Sequence, residues 1–184
     1  MKPNLPEIRT ERLLLRELNP GLADWLFYQA SAGERQRFFG CTSTEALHAQ
    51  LRRFRDSLVH NARFSFRHWL LVRADEGTVI GDAGYHTWHI QHARAELGYG
   101  LRSEEWSGRG LMGEALERIL QLGFGEMNLY RVEAFVSPYN RPSLAILNRL
   151  GFEREGCLRG HFRANGRQND ALCYALLRPQ WASR

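Results

Sequence analysis

Gly108, Gly110 and Gly113 form G-x-G-x-x-G inside WSGRGLMGEALERIL (106–120). That spacing lets backbone N–H groups approach a pyrophosphate, and Glu133 follows at about the separation where an acidic residue would meet a ribose hydroxyl. A second feature is a carboxylate in AELGYGL. Strand alternation sets Glu96, Gly98 and Gly100 on one face and Leu97, Tyr99 and Leu101 on the other. A carboxylate beside two positions without side chains leaves room for a ligand whose proton it could take; it equally suits an ion pair with a neighbouring Arg or His. Tyr85, on the strand before, could hold an acceptor or pack in a core. Asn140 and Ser143 follow the turn signal SPYN, so each suits either a helix start or a polar contact to a ligand. His86, His89 and His92 invite a metal, but 86 and 89 point to opposite faces of a strand and 92 belongs to a turn, so no metal site is expected.

The elements that must carry these residues are readable from period and punctuation. Ile8–Leu18 predicts a first strand, and Gly21–Phe39 and Ser43–Val59 predict helices. The period then switches to two: residues 68–74, 78–88 and 94–102 predict strands, the last two joined as a hairpin over IQHA. Leu111, Ala115, Ile119 and Leu122 share one stripe of a helix over Leu111–Met127. RVEAFVS (131–137) is a strand, Arg141–Leu150 a short helix, LGF returns the chain to the sheet, and DALCYALL (170–177) closes it. Antiparallel strands first and crossovers through helices later make a mixed sheet.

That order argues against a dinucleotide-binding enzyme. Arg102–Ser107 separates the strand from Gly108, Glu133 lies near the start of its strand rather than its end, and over half the chain precedes the glycines. The physical content of the loop survives: two glycines that free the backbone, a cation at Arg109, and the positive end of a helix. Composition adds bounds. The 184 residues, 43% hydrophobic and 24% charged, suit one globular domain (1–184), and a net charge of +5 favours an anionic partner. Cys41, Cys157 and Cys173 show no C-x-x-C spacing, which fits a reducing compartment and speaks against zinc. With no apolar segment of membrane-spanning length, a cytoplasmic protein with no membrane partner is expected. Arg52, Arg53, Arg55 and Arg63 read as the solvated face of a helix and its exit rather than a nucleic-acid surface, though an acidic protein could use the same patch.

Taken in order, AELGYGL, GRGLMGEAL, RVEAFVSPYNRPSLAILNRLGFEREG and NDALCYALL resemble the GNAT acetyltransferase superfamily, specifically its RimJ/RimL-type branch, over residues 8–181. The resemblance implies an α+β fold: a mixed, mostly antiparallel central sheet with a V-shaped splay between two strands, flanked by helices. Acetyl-CoA, as co-substrate, would lie in that opening, and its acetyl group would pass to a primary amine. Ser107, Gly108, Arg109, Gly110, Leu111, Met112 and Gly113 correspond to the pyrophosphate loop. Ser107 stands where Gln or Arg is usual and Met112 where Gly or Ala is usual. The backbone at Gly100 and Leu101 would pair with the pantetheine amides, and Asn140 and Ser143 match a conserved helix start. Many relatives place a tyrosine acid where this chain has Leu147.

Acetyl transfer needs a neutral amine. At pH 7, deprotonating an α-amine of pKa about 8 costs about 1 kcal/mol, against nearly ~5 kcal/mol for a lysine of about 10.4. An enzyme for protein N-termini therefore works with a weak or water-mediated base, a role for Glu96, while Ser143 hydrogen-bonds the acetyl group, the thiolate or a water. The resemblance makes a protein N-terminal α-amine, of ribosomal-protein type, the first expectation. Polyamines, aminoglycosides and other small amines are the alternative acceptors. An acyl-CoA sensor without catalysis is the alternative of another class.

Overall fold

The computed structural model describes residues 7–57, 65–164 and 166–184. Eight strands form one sheet in the order β1-β2-β3-β4-β5-β6-β8-β7. They are β1 (Glu7–Arg9), β2 (Leu13–Leu18), β3 (Ser65–Arg73), β4 (Val79–His89), β5 (Arg94–Leu101), β6 (Arg131–Val136), β7 (Glu153–Ala164) and β8 (Arg167–Leu177). Every neighbouring pair is antiparallel except β5 and β6, which run parallel. The helices are α1 (Pro20–Tyr28), α2 (Ala32–Phe39), α3 (Thr44–Ser57), α4 (Leu111–Phe124), α5 (Arg141–Arg149) and α6 (Arg178–Ala182). The expected α+β, mixed and mostly antiparallel architecture is present. No described helix is long and apolar enough to cross a membrane.

Strand alternation sorts the core into two layers. Leu13, Leu15, Trp69, Leu71 and Leu97 turn to the face covered by α4, whose Leu111, Ala115, Ile119 and Leu122 are all at most 1% exposed. Leu18, Leu70 and Val72 turn the other way, against Leu22 and Leu26 of α1, Phe38 and Phe39 of α2, and Leu47 of α3.

Two expected elements divide. Ile8–Leu18 is not one strand, because Thr10 closes a turn onto the Leu13 carbonyl (N to O, 2.8 Å) and β1 folds back on β2. Gly21–Phe39 is two helices, because Ser31 caps α2 with a reciprocal capping box to Glu34. Two others were under-read: LGF leads into the twelve residues of β7, and a short α6 follows β8. Within the basic stretch Arg52 is exposed; the side chains of Arg53 and Arg55, together with Arg63, lie outside the described residues, as does the end of the helix expected to Val59.

Candidate active site

The site begins where the sheet parts. β5 and β6 pair only through Arg94↔Arg131, Ala95↔Val132 and Glu96↔Glu133. Past that point β5 continues along β4 as far as Leu101, and β6 along β8 as far as Val136. The closed end is clamped by charge. Glu133 accepts from Arg94 (3.0 Å) and Arg131 (2.7 Å), and Arg131 also holds Glu155 (2.8 Å). Glu133 is thus a structural anion rather than a ribose contact. Two adjoining cavities, of ≈490 and ≈170 Å³, fill the opening and share Tyr99, Asn140 and Ser143 in their walls.

The larger cavity lies against the glycine loop. Gly108 (φ +72°) and Gly110 (φ +75°) adopt backbone conformations that L side chains resist, and Gly110 caps α4. The first amides of α4, at Leu111, Met112 and Gly113, have no acceptor within the helix and face an incoming anion with the helix dipole behind them. Gly113 matters for a different reason: a Cβ there would displace the Arg149 guanidinium, which α5 lays over the first turn of α4. Arg149 lines the cavity and supplies a cation that the sequence reading missed. Met112 is only 6% exposed and packs into the core cluster while still forming part of the cavity wall, so the departure from a small residue adds bulk at the floor of the groove. Gly100 and Leu101 line the same cavity. The loop is pinned from beneath by Glu114, which accepts from the Arg12 amide (2.8 Å) and its Nε (2.7 Å), while Arg12 Nη1 donates to the Arg109 carbonyl (2.9 Å).

Two expected contacts in the loop differ. The Ser107 amide donates to the Glu104 carbonyl (2.9 Å), so it anchors the loop instead of facing a phosphate, although Ser107 stays in the wall. The Arg109 guanidinium stacks on Trp106 at 5.2 Å, with Arg73 over the same ring at 5.8 Å, and Arg109 is not among the cavity-lining residues.

The smaller cavity contains Glu96. Burial pushes its carboxyl above the ordinary range and nearby Glu133 adds to this, against the opposing His161 and a hydrogen bond from Thr87. Thr87 sits at a bulge in β4 with φ +43°, a conformation a β-branched residue adopts only at a cost of about 1–3 kcal/mol. That strain places the Thr87 hydroxyl on Glu96. His161 arrives from β7, its ring packed 5.0 Å from Phe135. The space over Gly98, expected to be open, is filled: a Cβ there would strike the His86 imidazole. His86 in turn stacks on His68 (5.5 Å), whose Nε2 bonds Asp82 at 3.0 Å. His89 and His92 lie together in the turn (6.1 Å), away from that stack. No group of three or more His, Cys, Asp or Glu that could hold a metal occurs among the described residues.

Asn140 spends its side-chain oxygen on the Ser143 amide (3.2 Å), capping α5, and still lines both cavities. Leu147, fully buried, lines the smaller one. Tyr85 does not reach the site. It is 0% exposed, its hydroxyl donates to the Ile119 carbonyl (3.0 Å), and Gly123 lies so close that a Cβ would strike the phenol oxygen. The odd register of Tyr85 sends it into the α4 core layer, opposite Glu96.

A glycine loop at a helix start, a cleft between parted strands and a shielded carboxylate would suit transfer of a group from a phosphorylated carrier to a nucleophile. Comparison with known proteins agrees. Residues 12–153 match the family described as Acetyltransferase (GNAT) domain. An uncharacterized N-acetyltransferase of Bacillus licheniformis is 36% identical over 178 residues, covering 94% of this chain and 97% of its own. The ribosomal protein uS5 alanine N-acetyltransferase of Escherichia coli is 32% identical over 116 residues, covering 60% of this chain and 57% of its own. Among solved structures, a spermidine/spermine N-acetyltransferase from Vibrio cholerae superimposes with a TM-score of 0.68 at 20% identity, over 95% of this chain and 99% of that one. The chain belongs to the GNAT family and is an acetyl-CoA-dependent N-acetyltransferase.

Proposed function

We propose that this enzyme acetylates the α-amino group of a protein N-terminus, in the manner of the RimJ/RimL-type branch, with Glu96 as the base. The observation that carries the reading is electrostatic. At the closed end of the V, Glu96 is the carboxylate in the cavity wall, while Glu133 beside it is neutralised by Arg94 and Arg131, and Glu155 by Arg131. One carboxylate suits one ammonium group; a polycation would call for several free ones. The partial match to the uS5 alanine enzyme supports the same acceptor class.

Acetyl-CoA supplies the activated acetyl group; the residues do the rest. The amides at Leu111–Gly113 and the Arg149 guanidinium would hold its pyrophosphate, and the backbone of Gly100 and Leu101 would pair with its extended arm as a neighbouring strand does. Glu96 accepts the amine's proton, and its raised pKa narrows the gap between base and amine. Ser143 and the amide nitrogen of Asn140 stand where both cavities meet and orient the acyl end.

The test is thiol release from acetyl-CoA with three acceptors side by side: an alanine-initiated peptide, an N-terminally blocked lysine peptide, and spermidine. The α-amine peptide is expected to give the highest kcat/KM. A clear preference for spermidine would transfer the assignment to small amines.

A further inference from the structure

The family's usual phenol is missing, because Leu147 stands in its place on α5. We propose that Tyr99 of β5 takes over, donating a hydrogen bond to the sulfur that leaves during acetyl transfer. This rests on the reading that places acetyl-CoA in the groove beside the glycine loop.

The geometry supports it at four points. Tyr99 lines both cavities, so a carrier whose pyrophosphate lies at the loop and whose acyl end lies beside Glu96 must pass it. Tyr99 shares the wall of the smaller cavity with Leu147, so a phenol from the strand reaches the space that a phenol from the helix would fill. Its hydroxyl meets the Ser143 carbonyl at 3.5 Å, the outer limit of a hydrogen bond, and a thiolate is a stronger claim on that proton. Finally, strand alternation puts Tyr99 on the face of β5 opposite Glu96. Base and donor therefore flank the reacting carbon from two sides.

The step balances without further reagents. The amine nitrogen bonds to the carbonyl carbon, and its surplus proton goes to Glu96. The carbon–sulfur bond breaks with its electron pair on sulfur, which departs as a thiolate held by the Tyr99 O–H. Burial raises the Tyr99 phenol above its ordinary value, whereas an alkyl thiol titrates near ~8.5. Tyr99 thus keeps its proton while donating the bond; the thiolate is then protonated from solvent, and Glu96 returns the amine's proton to solvent, so that the turnover leaves no net charge.

The experiment follows CoA bound to the protein, titrating its thiol by thiolate absorbance in the ultraviolet, and needs no acceptor. The bound thiol is expected to ionise about 1 pH unit lower, or more, in wild type than in Tyr99→Phe. Identical titrations would overturn the proposal. So would a shift produced by Ser143→Ala and not by Tyr99→Phe, or loss of CoA binding in Tyr99→Phe, which would make the hydroxyl a binding or structural group and not a donor to the departing sulfur. Failure of the underlying reading looks different: Gly110→Val binding CoA as tightly as wild type would remove the loop from the site.

Discussion

The two ends of the gap between β5 and β6 are built on different plans. The carrier end draws on backbone: Gly108 and Gly110 at positive φ, then the first amides of α4, all within one short stretch. The acceptor end draws on side chains from separate strands: Thr87 of β4, Glu96 of β5 and His161 of β7 around one carboxyl. Backbone recognition needs only local sequence, and it would suit the acetyl-CoA that GNAT acetyltransferases use as co-substrate. Side-chain recognition needs the fold to be complete, and it is free to change with the acceptor.

The sharpest way to separate the ends is Glu96→Gln. Steady-state kinetics on the preferred amine should show kcat reduced at least ~10²-fold, with the KM for acetyl-CoA little changed. In wild type the acid limb of kcat/KM should sit above the ordinary carboxylate range, because Glu96 must be ionised and burial raises its pKa; the variant should lack that limb. A Glu96→Gln enzyme with full turnover and the wild-type profile would make the carboxylate structural.

Next in size is a pH effect confined to the acceptor end. Burial lowers the His86 pKa from 6.5 to about 4. Between those values the unfolded chain takes up a proton that the folded chain refuses, so stability falls as pH drops through the window, by up to about 3 kcal/mol. Urea unfolding at a series of pH values should give a shallower slope for His86→Phe than for wild type; parallel slopes would show that the imidazole is not the titrating group.

A smaller effect is expected from Gly110→Val, at the other end. Forcing a β-branched residue to φ near +75° costs about 1–2 kcal/mol, so calorimetry should find CoA bound about tenfold more weakly. The smallest belongs to neither end. Tyr85→Phe removes one buried hydrogen bond to Ile119, worth about 1 kcal/mol, and should leave the KM of every amine unchanged. A raised KM would return Tyr85 to the acceptor site.

These contrasts also mark how far the sequence could be read. Period-two runs located every strand of the central meander, and Leu111–Leu122 announced the buried stripe of α4 by its spacing alone. The loop could be read because its requirements are local. Ser31 and Glu34 were a capping box in plain view, overridden by apolar spacing that ran on across the break. Arg149 was out of reach: only Gly113 hinted that something lay against α4, and its partner is 36 residues on, counting from Gly113. Glu96 was identified from strand alternation, but the same alternation suggested open space over Gly98, because no local rule says where His86 will rest. Thr87 gave no signal either, since its positive φ is imposed by the bulge.

The three residue pairs that join β5 to β6 make the sheet a structure of two cooperative blocks with a short seam. Amides of Leu97–Leu101 and Ala134–Val136 that point into the gap have no strand across from them, and in the free enzyme they should exchange their hydrogens with solvent far faster than those on the β4 and β8 sides. A bound carrier would act as the absent strand. Its affinity then includes the closing of a sheet left unfinished, and the extra protection it confers should extend along the seam into both blocks.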